Sequence, residues 1–336
     1  MVVANLPSLP TPFIGRNKEL RDIQDLLTDS SCRLLTLIGP GGMGKTRLAL
    51  EVARQVSFVR DVYFVPLQGL ASSGLLVCAI ADAIEFHFYE STDPEPQLLA
   101  YLRDKSLLLV LDNFEHVLDG ASLLAEIYPT APGVDMLVTS RERLNLVEEW
   151  VYDVPQLKFP SSETETEIED YSAIQFFIQN ARRTNFHFAL TASQKPFVIR
   201  ICQRVGGLPL GIELAAAWTR TLSSEIIAEE IERSLDILET FTHNIDPRHR
   251  NIRAVFEPSW TRLPDEARMV FTELSVFRGG FTLEAAEYVA RVSRQILALL
   301  VDKSLLRLDV NGRYYLHELL RQYGEEHLRG NPEAWQ

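Results

Sequence analysis

The clearest chemistry in the sequence lies in Gly39-Pro-Gly-Gly-Met-Gly-Lys-Thr46. It fits the spacing G-x-x-x-x-G-K-[ST] and sits between an apolar run, Leu34–Ile38, and a stretch with helical spacing, Leu48, Val52, Ala53 and Val56. Gly39, Gly41, Gly42 and Gly44 let the backbone turn tightly enough for successive N–H groups to point inward at phosphate oxygens. The positive end of the following helix adds to that field. Lys45 is expected to bridge the β- and γ-phosphates, and Thr46 to offer a hydroxyl to Mg²⁺. Met43 and Arg47 belong to the same predicted run of nucleotide contacts.

A second element supplies the other half of a metal site. Leu107-Leu-Leu-Val-Leu111-Asp112 is an apolar strand ending in a carboxylate, the layout of a Walker B element whose Asp holds Mg²⁺ through water. Asn113 follows where many ATPases carry a second acid, and an amide cannot take a proton. Glu115 is the candidate base; the alternative is that Glu115 and His116 occupy a solvated helix start. A further strand ends in Thr139-Ser-Arg141, and an Arg at that end can sense or stabilise a γ-phosphate. These residues together predict at most a slow Mg-dependent ATPase.

The elements that must position them follow from the apolar pattern. Strand-like runs at Leu34–Ile38, Val62–Val65, Leu107–Leu111, Met136–Thr139 and Val151–Val154 alternate with helical stretches. Unbroken apolar strands separated by helices predict an α/β fold with a parallel sheet covered on both faces. Ser161–Asp170 is polar, acidic and aperiodic, and reads as a linker. From Tyr171 to about Thr240 the pattern is helical. Beyond Pro247, helical signals at Ile252–Trp260, Pro264–Leu274 and Leu283–Ala290 precede Leu305–Val310, Asn311-Gly312 and Arg313–His317, and a last helix at Leu319–Leu328. Asn-Gly between two apolar-rich runs signals a hairpin and places His317 on its second strand. Three helices and a hairpin suggest a winged helix. The expected domains are residues 1–160, 161–244 and 245–336.

Composition bounds the partners. Of 336 residues, 46% are hydrophobic and 24% charged, the ordinary mix of a soluble chain. The net charge of −13 argues against a general nucleic-acid surface. Residues 245–336 carry 13 basic and 13 acidic side chains, so the predicted winged helix is neutral too. No signal-peptide pattern opens the sequence, and no apolar run is long enough for a bilayer. Cys32, Cys78 and Cys202 lie far apart and read as buried free thiols of a cytoplasmic protein.

These residues resemble the NB-ARC core of the STAND class of signal-transducing NTPases, over nearly the whole chain. Phe13-Ile-Gly-Arg16-Asn-Lys-Glu19 is similar to the family's hhGRxxE motif, which implies adenine and ribose contacts from Phe13, Ile14 and Arg16. Gly207-Leu-Pro209-Leu matches its GLPL motif, implying that Pro209 packs on the adenine. Read from the residues alone, Gly206–Pro209 is a helix stop followed by a proline-led helix start. Leu316-His317-Glu318 sits where the family has Met-His-Asp, which implies that His317 contacts the ADP β-phosphate. Thr139–Arg141 matches the sensor strand. Asp112–His116, Leu274–Ala286 and Leu300–Leu306 look most like the bacterial branch with transcriptional regulators. The resemblance implies a five-stranded nucleotide domain, a helical domain and a winged-helix domain closing over ADP. It further implies an ATP-favoured open state that oligomerises, a monomer with ADP, and sensor and effector domains in a longer protein. Two departures stand out: Asn113 for the second acid and Glu318 for the Asp of the triplet. The rival readings are a DNA-binding regulator acting through the winged helix and an ATPase motor or kinase.

Overall fold

The five apolar runs form one parallel sheet in the computed structural model, which describes residues 5–9, 11–89, 93–240 and 250–330. In chain order the elements are α1 (Asn17–Thr28), β1 (Leu34–Ile38), α2 (Lys45–Val56), β2 (Asp61–Pro66), α3 (Leu76–Ala83), α4 (Pro94–Leu102), β3 (Leu107–Asp112), α5 (Ser122–Thr130), β4 (Val134–Ser140) and β5 (Trp150–Asp153). The strand order is β2-β3-β4-β1-β5, all parallel. Burial follows that order: β1 and β3 are buried at every position, whereas the edge strands β2 and β5 are not. A central strand covered on both faces must be apolar throughout, which is why Leu34–Ile38 and Leu107–Leu111 read as unbroken runs.

The topology puts β4 between β1 and β3. Leu37 pairs with Thr139, and Leu111 with Val138, so the carboxyl ends of the three strands are level. The residues following β1, β3 and β4 therefore gather at one edge of the sheet, where α/β sheets place their ligands.

The chain divides into two compact units, Met1–Gly39 with Gly44–Val154, and Pro40–Met43 with Pro155–Gln336. The second contains α6 (Ser172–Thr184), α7 (Lys195–Arg204), α8 (Pro209–Ala217), α9 (Ser224–Arg233), α10 (Ile252–Thr261), α11 (Asp265–Leu274), α12 (Leu283–Ala290), α13 (Arg294–Asp302), the strands β6 (Arg307–Leu308) and β7 (Tyr314–Tyr315), and α14 (Glu318–Arg329). The expected boundary at 244/245 lies outside the described residues.

Three readings of this unit change. The hairpin is present, but its antiparallel strands are two residues long and end at Tyr315. His317 is therefore not a strand residue; it is the N-cap of α14, and its side chain accepts from the Leu319 N–H. Helix α13 carried a usable signal, Ser293 capping the Ile296 N–H, that periodicity alone passed over. Ser161–Asp170 has no helix or strand, as its composition predicts, but it is anchored. Ile168 is fully buried, Glu163 takes a bidentate pair from Arg200, and Glu165 accepts from Ser161, Ser162 and Tyr171. Glu163 and Glu165 thus cap neighbouring donors, while Glu167 and Asp170 are exposed. Of the cysteines, Cys32 and Cys202 are buried and Cys78 is half-buried, all free.

Candidate functional site

Gly39–Thr46 turns on glycines in left-handed conformation, with φ of 78° at Gly42 and 83° at Gly44. Gly41 is different: it is buried in the same turn but is not among the glycines at positive φ, so its backbone does not itself demand a glycine. Gly44 is the N-cap of α2, and no side chain caps that helix, so its first N–H groups are left to the loop. A side chain at Gly42 would meet Leu210 Cβ at 3.0 Å, and the Gly42 carbonyl accepts from the Leu210 N–H at 3.2 Å. Met43 is buried.

Lys45 is 7% exposed, and its Nζ donates to the Gly39 carbonyl at 2.7 Å. Burial pulls its pKa down to about 8, and the charge of Glu115 is the strongest influence opposing that fall. An ammonium dried in this way is stabilised by an anion brought beside it, which suits a phosphate.

Around Lys45 stand the residues from the other strand ends. Asp112 is buried, and desolvation raises its pKa against hydrogen bonds from Thr139 and Thr46. Thr139 Oγ1 donates to Asp112 Oδ1 at 2.7 Å and accepts from the Asn113 N–H at 3.0 Å. The hydroxyl of Thr46 beside the carboxylate of Asp112 is a pair of hard oxygen donors, which fits Mg²⁺ sharing its remaining positions with phosphate and water. When bound, that ion would neutralise phosphate charge. Among the described residues no cluster of three or more His, Cys, Asp or Glu forms a separate metal cage.

Glu115 is not on a solvated helix start. The chain leaves β3 through Asn113, in left-handed conformation at φ 63°, into a 3-10 turn, Phe114–His116, that buries Phe114 and Glu115. Asn and Asp tolerate that backbone better than most residues. Asn113 Nδ2 donates to Gln68 Oε1 at 2.9 Å. Glu115 Oε1 accepts from Arg141 Nε at 3.0 Å, so the predicted base and the predicted γ-phosphate sensor hold each other.

The segment ahead of α1 is tied down by the phosphate-loop helix. Arg47 donates to the hydroxyl of Thr11 and, at 2.7 and 3.1 Å, to the carbonyls of Thr11 and Pro12, while Arg54 holds the Pro7 carbonyl at 3.0 Å. Arg47 thus fixes the approach to Phe13 and Ile14, both half-buried. Arg16 is buried in left-handed conformation at φ 61°, and burial lowers its pKa to about 10.

In the second unit, α8 starts at Pro209 after Gly206 and Gly207, both at positive φ, as the helix-stop reading predicts. Pro209 is half-buried. Both ring nitrogens of His317 are in use. Because Nδ1 accepts from the Leu319 N–H at 3.3 Å, the proton is on Nε2, which donates to the Gly206 carbonyl at 3.0 Å. Burial drives the imidazole pKa down to about 4, so the ring is neutral. A contact from His317 to a phosphate requires Nε2 to change partner.

No local pattern pointed to Gln68, and nothing marked Thr139 as the hinge between Asp112 and Asn113. Thr139→Val keeps the shape but leaves a buried carboxylate and a backbone N–H each short of a partner. It is expected to destabilise the chain by about 2–4 kcal/mol in thermal unfolding. A loss under about 0.5 kcal/mol would show that the hydroxyl is dispensable.

Residues 12–199 match the family model described as an AAA ATPase domain. An uncharacterized protein of Mycobacterium tuberculosis is 32% identical over 338 residues, covering 96% of this chain and 83% of that protein. A putative HTH-type transcriptional regulator of the same organism is 32% identical over 313 residues, covering 90% of this chain and 34% of the regulator, most of which lies outside the match. Among solved structures, a STAND protein with a tetratricopeptide repeat sensor from Pyrococcus horikoshii aligns at 16% identity and a TM-score of 0.43, covering 97% of this chain and 44% of that one.

Proposed function

This chain belongs to the AAA ATPase domain family, and we propose that within it the protein is an adenine-nucleotide switch of the STAND type, with an NB-ARC-like module. The observation that carries this reading is the dried Lys45 ammonium among Thr46, Asp112 and the Glu115–Arg141 pair, at the ends of three adjacent strands. In this reading Gly39–Thr46 holds the phosphates, Thr46 and Asp112 hold Mg²⁺, and Phe13, Ile14 and Arg16 face the base and ribose. Pro209 and His317 add contacts from the helical and winged-helix parts, residues 161–244 and 245–336. ADP then favours a closed state and ATP an open, oligomerising one. A ligand shifts such an equilibrium only by its differential affinity for the two states. Asn113, with no acid beside Asp112, makes hydrolysis slow.

Mass spectrometry of nucleotide released from the denatured, freshly purified protein tests the reading. ADP is the expected species; protein that carries no nucleotide and binds none when offered would end it. His317→Ala is expected to weaken ADP binding about tenfold, since a lost hydrogen bond to a charged group is worth about 1.5–3 kcal/mol. Equal ADP affinity in titration calorimetry would remove His317 from the nucleotide contacts.

The similarity to a putative HTH-type regulator favours one second reading, a transcriptional regulator in which this segment supplies the switch. Residues 245–336 are electrically neutral, whereas a duplex-tracking surface is basic. Salt-sensitive binding of this chain to DNA would make the winged helix the reader.

A further inference from the structure

The Glu115–Arg141 ion pair joins two groups with opposed tasks. Its side chains are 3% and 13% exposed, and Arg141 Nε lies 3.0 Å from Glu115 Oε1. A carboxylate whose Oε1 is held by a guanidinium is a weaker acceptor for a water proton than a released one, because the adjacent cation favours its ionised form. A guanidinium that gives its Nε to a carboxylate likewise has that donor and its orientation committed away from a phosphate. We propose that this pair is a catch: a nucleoside triphosphate opens it by taking Arg141, and a diphosphate leaves it shut. The proposal rests on the nucleotide-site reading of Gly39–Thr46.

The topology supplies the geometry. Arg141 directly follows β4, which lies between the strand that feeds the phosphate loop and the strand that ends in Asp112. It is therefore next to the end of a phosphate chain that runs from the loop past Lys45. The charges of Glu115, Arg141 and Asp112 all act on Lys45.

The energetics favour an exchange of partners. Arg141 is already out of water, so moving from a carboxylate to a phosphate adds little new desolvation. A terminal phosphate carries more charge than a carboxylate and offers three oxygens to the planar fork of an arginine. A diphosphate ends one phosphate short and has nothing to offer Arg141. Once Arg141 leaves, the Glu115 carboxylate is released beside the γ-phosphate. In the hydrolytic step a water oxygen forms a bond to the γ-phosphorus. The bond from that phosphorus to the β,γ-bridging oxygen breaks, its electron pair leaves with the diphosphate, and the water proton passes to Glu115. Loss of phosphate then returns Arg141 to Glu115, and the site resets with diphosphate bound.

The test is the ratio of affinities for a non-hydrolysable triphosphate analogue and the diphosphate, measured by titration calorimetry on the full chain. Glu115→Gln removes the competitor for Arg141 and should raise that ratio about five- to tenfold, within the usual range of coupling between sites. Simple relief of charge repulsion would raise it too, so the cycle is closed with Arg141→Gln. In that background the catch predicts that Glu115→Gln changes the ratio by less than about twofold. A gain of the same size with and without Arg141 overturns the catch, as does no gain in either.

Wild-type protein gives an independent readout if a variant fails to fold. The Arg141 Nε–H resonance should move on adding the triphosphate analogue and stay near its empty-state position with diphosphate. Equal shifts with both ligands, or none with the triphosphate bound, overturn the proposal. Wild type that binds neither nucleotide overturns the nucleotide-site reading, and the catch with it.

Discussion

Lys45→Met is expected to abolish measurable nucleotide binding while leaving the empty protein at least as stable as wild type near neutral pH. The two halves have different origins. Binding fails because a phosphate brought to the loop loses the buried ammonium at the first position of its own helix. Removing one partner of a buried, hydrogen-bonded charge pair costs about 2–5 kcal/mol, on the order of a hundredfold in affinity. Stability is retained because the ammonium is a burden on the empty fold. Burial holds its pKa near 8 against an ordinary 10.5, so the folded state disfavours the charged form. A shift of that size corresponds to about 3 kcal/mol, more than the roughly 1 kcal/mol that a hydrogen bond such as the one to the Gly39 carbonyl returns.

The pH dependence fixes the sign. Below about 8 the lysine is charged in both folded and unfolded chains, and the full penalty applies. As pH rises from about 8 to 10.5 the folded chain loses the proton first, and the penalty fades. The stability advantage of Lys45→Met over wild type should therefore shrink across that window in denaturant unfolding. An advantage that grows with pH would contradict the assignment of the burden to Lys45. The same proton appears in binding: at pH 8.5 nucleotide should bind with proton uptake, seen as a calorimetric heat that varies with buffer ionisation enthalpy.

How much of this was visible in the amino acids depends on the range of each interaction. The phosphate loop is local. Its glycines, Lys45 and Thr46 are adjacent in the chain, and their spacing alone dictates the turn and the start of α2. The central strands were visible for a similar reason, since burial on both faces writes an unbroken apolar run. Glu115 is legible as a candidate base but its burial is not, because its setting depends on a partner 26 residues away and on a left-handed residue, Asn113, that turns the chain inward after β3. The acidic stretch Ser161–Asp170 misled in the opposite direction. Its composition is that of a solvated linker, yet Glu163 and Glu165 find donors that no local pattern announces. Asn311-Gly312 signals a turn without fixing how far pairing continues, so the sequence pattern puts His317 on a strand. The short ladder ends at Tyr315, leaving His317 to cap the next helix. In each case the residue type was legible and its partner was not.

Gly207→Ala is expected to be the most destabilising single-methyl change in the second unit, at about 3–5 kcal/mol. Gly207 has φ of 66°, where an L side chain costs about 1–2 kcal/mol. Its Cβ would lie 2.3 Å from the Leu157 carbonyl oxygen, a backbone atom with no rotamer to retreat into. Leu157 is moreover held there by its own N–H on the Gly207 carbonyl, so relieving the clash breaks that bond, and overpacking of this kind adds about 1–3 kcal/mol. The neighbouring Gly206→Ala differs in what it meets. Its Cβ would stand 2.8 Å from Cε1 and 2.9 Å from Nε2 of His317, the ring whose Nε2 donates to the Gly206 carbonyl. A side chain yields where a backbone does not, so the alanine should expel the imidazole and cost less than Gly207→Ala. In a His317→Ala background the obstacle is gone, and Gly206→Ala should fall to the backbone cost alone, about 1–2 kcal/mol. Gly207→Ala should keep its full effect there. Denaturant unfolding followed by the fluorescence of Trp218 and Trp260 reads both cycles. Strict additivity of Gly206→Ala and His317→Ala would mean that the glycine serves its own turn and not the seat of the histidine. The coupling expected instead makes Gly206 the residue that decides whether His317 rests on the carbonyl or is free to take another partner.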